Sequence, residues 1–395
     1  MSLLAKSKKK DLAKKSLILH IGSDRVTGTL AIFSNYERPH VVEMAEKEVR
    51  LTSNETEAEF MNLFRKAAVE VATALTHGER GKGGGHFVPE HVYVSLESPW
   101  FTGQTRTIYY SKKDPFIFSE NLAHTLIDED FAQYKKTAEA AFGEPLQVID
   151  KSVITTKLNG YAVESAYGKK AREATIAYYA SLAPKFFIDS LCEDLERVLR
   201  GKIRFFSSPA ALSGALYMTL EHYKKLLVIS IGGEVTELLY LENGVLVNTG
   251  SFPSGRNFLI RTLGDQLKQN PLEIFSLLNM CASGRAHDTM VKKVDRIVEI
   301  VENSWRKQLR GGVHDVVGLA HEHIPVMTLG APDTLSWFKK MVNNEHLTRG
   351  AGETAISSKE WSGIIATDFF MHKTEVSTIP PLVLADCLYI YGINV

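Results

Sequence analysis

Two glycine-centred turns stand at matching places in the sequence, with Gly22 and Gly232 separated by 210 positions. The apolar run SLILHIGS stops at Gly22-Ser23 and the alternating run TGTLAIF follows, while LLVISIGG stops at Gly232-Gly233 and leads into VTELLYL. Runs of this kind predict β-strands, and a glycine turn between strands exposes backbone N–H groups that no Cβ shields. Two such turns facing each other across a cleft could hold the phosphates of one nucleotide.

The elements around the turns repeat as well, because each pair of strands is followed by a third strand and then by helices. A further strand ends in a glycine turn at TLGAP (328–332). A repeat of this kind predicts an α/β chain with two similar halves facing one another. Between 105 and 171 the chain changes character, and polar strands around a helix near 119–142 predict a small inserted α+β subdomain.

These patterns divide the chain into five segments. We predict a basic tail (1–16), a first half in two pieces (17–104 and 172–212), the inserted subdomain (105–171) and a second half (213–395). The apolar run at 378–395 has 18 residues but contains two prolines and Asp386. It is therefore predicted to be a terminal core helix rather than a membrane span.

The order of these motifs resembles that of the actin-like ATPase superfamily, and within it the FtsA/PilM group of bacterial cell-division and type IV pilus proteins. The resemblance spans roughly 17–395 and implies a duplicated, ribonuclease-H-like fold; the end of the inserted segment, KLNGYAVESAYGKKA (157–171), is also similar. The segments that carry it are HIGS (20–23), SPAALSGAL (208–216), SIGGEVTEL (230–238), SFPSGRNFLIRTLG (251–264) and TLGAP (328–332).

The resemblance implies ATP as the cofactor and places its contacts at the glycine turns. The implied nucleotide-binding residues are Gly22, Ser23, Gly232, Gly233, Thr236 and Gly330. Members that hydrolyse ATP begin both hairpins with an aspartate, whose carboxylate helps to hold Mg²⁺. Here those positions are His20 and Ser230, and a neutral imidazole or a hydroxyl is a poor ligand for this ion.

Two further positions depart from the pattern of the hydrolysing members. Pro332 in the adenine-side turn removes a backbone donor, and Ser208 stands where an acidic or amide residue is common. The nearby carboxylates of Asp24 and Glu234 could partly substitute, although both are displaced from the expected positions. We predict lost or very slow hydrolysis, with Mg²⁺ bound weakly or not at all and no catalytic residue assigned, and we leave nucleotide binding open.

The charges of the chain balance, with 46 Lys and Arg against 46 Asp and Glu, which argues against a general nucleic-acid binder. Residues 1–15 nevertheless hold six lysines and one aspartate. This tail is either a solubilising segment or an attachment to anionic lipid. The lysines that would touch the lipid are Lys6, Lys8, Lys9, Lys10, Lys14 and Lys15.

The three cysteines are far apart in the sequence, which favours a reducing cytoplasm over a disulfide framework. The histidines at 314, 321 and 323 lack a further ligand at helical spacing, so we predict no metal site.

The resemblance implies a cytoplasmic scaffold or adaptor at the inner face of a bacterial membrane, in type IV pilus or cell-division assembly. In PilM-like proteins a short peptide of a membrane protein docks beside the inserted subdomain, which here corresponds to a groove near 100–170. Self-association and peripheral membrane contact are further options. The alternative function is an active ATPase, or a sugar kinase, of the same superfamily.

Overall fold

A computed structural model describes residues 13–34, 37–49, 56–77, 88–163, 165–220, 222–318, 324–343, 357–371 and 379–394. The strands in these segments are β1 (Lys14–Ile21), β2 (Arg25–Phe33), β3 (His40–Glu48), β4 (His91–Leu96), β5 (Thr102–Ile117), β6 (Leu146–Leu158), β7 (Tyr161–Ala162), β8 (Lys170–Pro184), β9 (Lys202–Ser207), β10 (Lys225–Ile231), β11 (Thr236–Glu242), β12 (Val245–Phe252) and β13 (Val326–Gly330). The helices are α1 (Glu57–His77), α2 (Glu120–Phe142), α3 (Lys185–Glu196), α4 (Ser208–Thr219), α5 (Arg256–Leu267), α6 (Pro271–Ala282), α7 (Asp288–Val317), α8 (Pro332–Asn343), α9 (Ser358–Asp368) and α10 (Pro381–Asn394).

Two sheets repeat one order over four strands, and the first sheet has β9 as a fifth strand. The first sheet runs β3-β2-β1-β4-β9 and the second runs β12-β11-β10-β13. In each, the strand before the glycine turn pairs antiparallel with the strand after it and parallel with a later strand on its other side. The register places His20 beside Ser95 and Ser230 beside Leu329. The duplication predicted from the sequence is therefore present in the topology.

Each sheet is buried on both faces, which explains the continuous apolar runs of its central strands. Ile18 of β1 and Val228 of β10 point into a core that both sheets share with α4, α9 and α10. Their neighbours Leu19 and Ile229 point the opposite way, toward α1 and α3 in the first half and α5 to α8 in the second. Side chains of a strand alternate in direction, so one strand contributes to two cores.

A third sheet, with the order β5-β8-β6-β7, lies in the segment predicted as the insertion. Helix α2 covers one face, where Phe131 and Tyr134 pack on Ile176 and Tyr178 of β8. The long strands of this sheet run from Thr102 to Pro184, a wider range than 105–171. The polar outer residues of these strands are consistent with one covered face only.

The C-terminal apolar run forms helix α10, as predicted. Its Leu384, Cys387 and Leu388 are fully buried in the core between the two sheets. Asp386, on the same helix, is also buried, with only 1% of its surface exposed. Among the helices described, none has the length and apolarity that crossing a membrane requires.

Candidate functional site

The two glycine hairpins, predicted from sequence to face each other, are in direct contact. The Ser23 hydroxyl accepts a hydrogen bond from the backbone N–H of Glu234 at 2.8 Å. A Cβ added to Gly233 would lie 2.6 Å from the Cβ of Asp24, so the second hairpin needs glycine at this position to approach the first.

Below the hairpins, His20 is held between two buried carboxylates. Its Nδ1 lies 2.6 Å from Oδ2 of Asp386, and its Nε2 lies 2.9 Å from Oε1 of Glu97. Ser95, the register neighbour of His20, donates to the other oxygen of Asp386 at 2.8 Å. The cluster thus joins β1, the end of β4 and the C-terminal helix α10.

The charges of this cluster are coupled. Burial disfavours the charged imidazolium of His20, but the carboxylates of Asp386 and Glu97 outweigh burial and raise the pKa of His20 well above its ordinary value. An imidazolium between two carboxylates satisfies all three groups with charge-assisted hydrogen bonds. The sequence motifs place His20 where hydrolysing members carry a metal-binding aspartate, and here the two carboxylates favour its protonated form.

Glu237 is the buried carboxylate of the second half. Its Oε1 accepts hydrogen bonds from the backbone N–H and the hydroxyl of Ser98, at 3.0 Å and 2.5 Å. Burial, together with the nearby charge of Glu97, raises the pKa of Glu237 to about 7. The group lines a cavity of about 90 Å³ whose other walls are Ser98, Phe101, Thr102, Gly103, Pro209, Leu238, Thr249, Gly250 and Ser251.

At the other end of the hairpin contact, Arg256 binds carboxylates of both halves. Its guanidinium lies 2.8 Å from Asp24 and 3.4 Å from Glu48 of the first half, and 3.0 Å from Asp333 of the second. Arg256 is the first residue of α5 and is only 2% exposed. A buried cation of this kind requires several anionic partners.

The carboxylates considered from the sequence as substitute metal ligands already have cationic partners. Asp24 contacts Arg25 and Arg256, and Glu234 receives both terminal nitrogens of Arg261, at 2.7 Å and 2.8 Å. Among the described residues, no group of three or more His, Cys, Asp or Glu side chains could hold a metal ion.

The residues predicted to hold a nucleotide are partly brought together. Gly22, Ser23, Gly232 and Gly233 converge at the hairpin contact, whereas Gly330 ends β13 beside Ile231. The Thr236 hydroxyl donates to the carbonyl of Ser254 at 2.7 Å.

The remaining predicted contacts lie elsewhere. Ser208 is buried at the start of α4. Lys14 and Lys15 begin strand β1, while Lys6, Lys8, Lys9 and Lys10 lie outside the described residues.

The residues between the two hairpins do not fit a nucleoside triphosphate with its metal ion. Oε2 of Glu97 stands 2.9 Å from where a Gly22 Cβ would be and 3.4 Å from where a Gly232 Cβ would be, so a carboxylate fills the space between the turns. The N–H groups of Gly22 and Gly232 donate to Arg25 and Val235 within their own hairpins. A phosphate placed between the turns would meet the Glu97 carboxylate.

The fold defines the class: the chain has the actin-like ATPase fold, as its sequence motifs predict. Its arrangement is PilM-like, because the structure of a PilM-PilN type IV pilus biogenesis complex matches it with a TM-score of 0.64 over 96% of this chain and 98% of that one, at 14% identity. An ethanolamine utilization protein EutJ from Carboxydothermus hydrogenoformans matches with a TM-score of 0.46 at 12% identity, over 94% of this chain and 89% of that one.

A dehydratase activator from Clostridium difficile, solved with bound ADPNP, matches with a TM-score of 0.36 at 11% identity, over 97% of this chain and 98% of that one. No protein-family profile matches the sequence, and no curated protein matches it. The similarity therefore establishes the fold. A nucleotide in the cleft is an expectation from the sequence motifs.

Sequence reasoning missed Glu97, Glu237 and Arg256, and it noted Asp386 only as an interruption of an apolar run. Two signals were present. A carboxylate directly after β4 lies at the carboxyl edge of a sheet, where ligands of α/β folds bind. A lone aspartate in an apolar core helix requires a polar partner, and the partner could be found only in three dimensions.

Proposed function

We propose that this chain is an actin-like scaffold or adaptor that works at the cytoplasmic face of a bacterial membrane in type IV pilus or cell-division assembly, without hydrolysing ATP. The observation that carries the proposal is an actin-like fold that matches over 96% of the chain, with the Glu97 carboxylate lying between the two glycine turns. The proposal includes the division of the chain into a basic tail (1–16), a first half (17–104 and 172–212), an inserted subdomain (105–171) and a second half (213–395).

The partner we propose is a short extended peptide of a membrane protein, docking beside the inserted subdomain. Support comes from the cavity at Glu237, which lies between β5 and β12. Each of these strands is at the end of its sheet order, and Thr249 of β12 approaches the carbonyl of Gly103 on β5 at 3.5 Å. An extended peptide that lies across these two edges can place one side chain in the cavity between them.

Peptide docking is tested by fluorescence anisotropy with labelled cytoplasmic N-terminal peptides of the pilus and division membrane proteins encoded beside this chain's gene. We expect one peptide to bind with a Kd in the micromolar range, and Thr249→Trp, which fills the cavity, to weaken it at least tenfold. Thr125→Trp on the exposed side of α2 is the matched control. Equal affinity for both variants would remove the cavity as the docking place.

A basic edge of the first sheet supports the proposal that the chain contacts anionic lipid, in addition to the tail. Strands β1, β4 and β9 are parallel neighbours, so their first residues lie at one edge of the sheet. Lys14 begins β1, and the exposed Lys202 and Arg204 begin β9. Burial lowers the pKa of His91 at this edge, and the cations Arg204 and Lys14 lower it further.

Lipid contact is tested by sedimentation with vesicles of phosphatidylcholine, with and without phosphatidylserine. We expect binding to the anionic vesicles, abolished by removal of residues 1–13 and reduced by Lys202→Gln with Arg204→Gln. Exposed Lys292 and Lys293 on α7, both changed to Gln, are the control. Binding that survives removal of the tail would leave the tail a solubilising segment.

The alternative, an active ATPase or sugar kinase, makes an opposite prediction for the same protein. Purified chain with ATP and Mg²⁺ should release no phosphate above the protein-free rate if the scaffold proposal holds. Phosphate release that Gly232→Asp abolishes would overturn the proposal, because this variant places a carboxylate at the contact of the two hairpins.

A further inference from the structure

We infer that the interdomain cleft is held shut by this chain's own charged side chains, with Glu97 in the phosphate position and Arg256 joining the two halves, so that the spacing of the halves does not depend on nucleotide. The inference deepens the non-hydrolysing part of the proposed function and rests on it. It concerns how a scaffold keeps one shape without the ligand that the fold class ordinarily uses.

Glu97 lies between the two glycine turns. Glu97 is 8% exposed, and its Oε2 would lie 2.9 Å from a Cβ added to Gly22 and 3.4 Å from a Cβ added to Gly232. A phosphate group between the turns would have to displace this carboxylate or stand against its charge.

Hydrogen bonds hold Glu97 in its place between the turns. Its Oε1 is bonded to His20, which is bonded in turn to Asp386 of α10. Helix α10 is anchored in the core that both sheets share, where its Leu384 and Leu388 are fully buried. Displacing Glu97 would leave the buried imidazole without one of its two anionic partners, which is strongly unfavourable.

The two hairpins touch at the place where a bound nucleotide would separate them. The hydrogen bond from Glu234 N–H to the Ser23 hydroxyl crosses from one half to the other at 2.8 Å. The N-terminal N–H groups of α5, from Gly255, Arg256 and Asn257, donate to the carbonyls of the second hairpin and are therefore already used.

Arg256 joins the two halves of the chain. Its guanidinium comes from the second half and binds Asp24 and Glu48 of the first, while Asp333 holds it from its own half. Arg261 offers a natural comparison, because it binds Glu234 within the second half and is half exposed. A cation that bridges the halves stabilises the closed arrangement, whereas one that stays within a half does not.

The test is a distance measurement by double electron–electron resonance in the full chain. Spin labels are placed at Lys66 on α1 and Glu299 on α7, both exposed, after Cys192 and Cys281 are changed to Ser. We expect one narrow distance distribution, unchanged by millimolar ATP with Mg²⁺. A distance that shifts when ATP is added to the otherwise unchanged chain would overturn the inference, and this arm requires no cleft variant to fold.

Two variants sharpen the result. Arg256→Gln is expected to broaden the distribution and lower Tm by roughly 5 °C, while Arg261→Gln is expected to leave the distance unchanged. Equal distributions for both arginine variants would also overturn the inference.

The outcomes separate the inference from the proposed function. A cleft that opens with ATP while the membrane-protein peptide still binds, without phosphate release, rejects only the inference. Phosphate release that Gly232→Asp abolishes rejects the proposed function itself.

Discussion

The two glycine hairpins occupy equivalent places in two sheets that share the order of four strands, yet their surroundings differ in charge. Beneath the first hairpin, His20 is flanked by Glu97 and Asp386, and Ser95 on the parallel strand completes the cluster. Beneath the second, Ser230 stands at the place of His20 and its parallel neighbour is Leu329. The backbone is duplicated, whereas the histidine–carboxylate cluster lies beneath the first hairpin.

The difference arises from what each half receives from the rest of the chain. Helix α10 brings Asp386 to the first hairpin, and the end of β4 brings Glu97. The second hairpin instead receives the helix N-terminus of α5, whose N–H groups bind its carbonyls. The imidazole of His20 with its two carboxylates thus supports the first hairpin, and backbone hydrogen bonds from the start of α5 support the second, so substitutions at equivalent positions should have unequal effects.

The largest contrast is expected between His20→Ala and Ser230→Ala. Removal of His20 leaves two buried carboxylates without their shared cation, which should lower the free energy of unfolding by about 3–5 kcal/mol. Ser230→Ala should cost about 1 kcal/mol. Urea titration followed by circular dichroism measures both values, and similar losses for the two variants would show that the hairpins are equivalent after all.

The next contrast lies in the pH dependence that Glu237 imposes. Its pKa of about 7 in the fold exceeds the 4.5 of an ordinary glutamate, so the folded state retains a proton that the unfolded state has lost. Stability should therefore fall as pH rises from 4.5 to 7, by about 3 kcal/mol in total, and stay reduced above 7.

Glu237→Gln should remove this loss, as seen in urea titrations across the same range, whereas Glu299→Gln on the exposed face of α7 should not. His20 acts in the same direction at higher pH, because its raised pKa gives stability that is complete below about 6.5 and is lost as pH rises through the folded value. A Glu237→Gln variant should consequently keep a fall in stability above neutral pH. A flat profile there would contradict the imidazolium assigned to His20.

A smaller effect is expected from Gly233→Ala. The added methyl would meet backbone atoms of Ser23 and Asp24 at 2.9 Å, so the hairpins would have to part slightly. We expect a loss of about 1–3 kcal/mol in thermal or urea unfolding. Gly363→Ala in α9, which meets nothing within 4 Å, should instead gain about 1 kcal/mol from helix propensity. A Gly233→Ala protein as stable as the unchanged chain would show that the hairpins are not in contact.

The smallest effect belongs to the second hairpin's own ion pair. Arg261→Gln breaks a half-exposed contact with Glu234, and such pairs contribute below about 1 kcal/mol. The loss should shrink further in high salt, because the pair is screened. A large, salt-independent loss would place Arg261 among the residues that join the halves.

The sequence was sufficient to predict the duplicated α/β fold, the two hairpins and the core position of the C-terminal helix. These depend on local periodicity and on glycines at turns, both of which can be read along the chain. It also predicted that His20 and Ser230 stand where hydrolysing members carry aspartates. The boundaries of the inserted subdomain and the nucleotide contacts stay predictions.

The tertiary structure alone decided what replaced the missing aspartates. Asp386 lies 366 positions from His20, and Arg256 lies 232 positions from Asp24, so no local pattern relates them. The sequence determined which backbone turns would meet, because strand and turn preferences are local. Only the folded chain determined that their meeting place is filled by protein charges, because a buried carboxylate is stabilised by partners that distant elements supply.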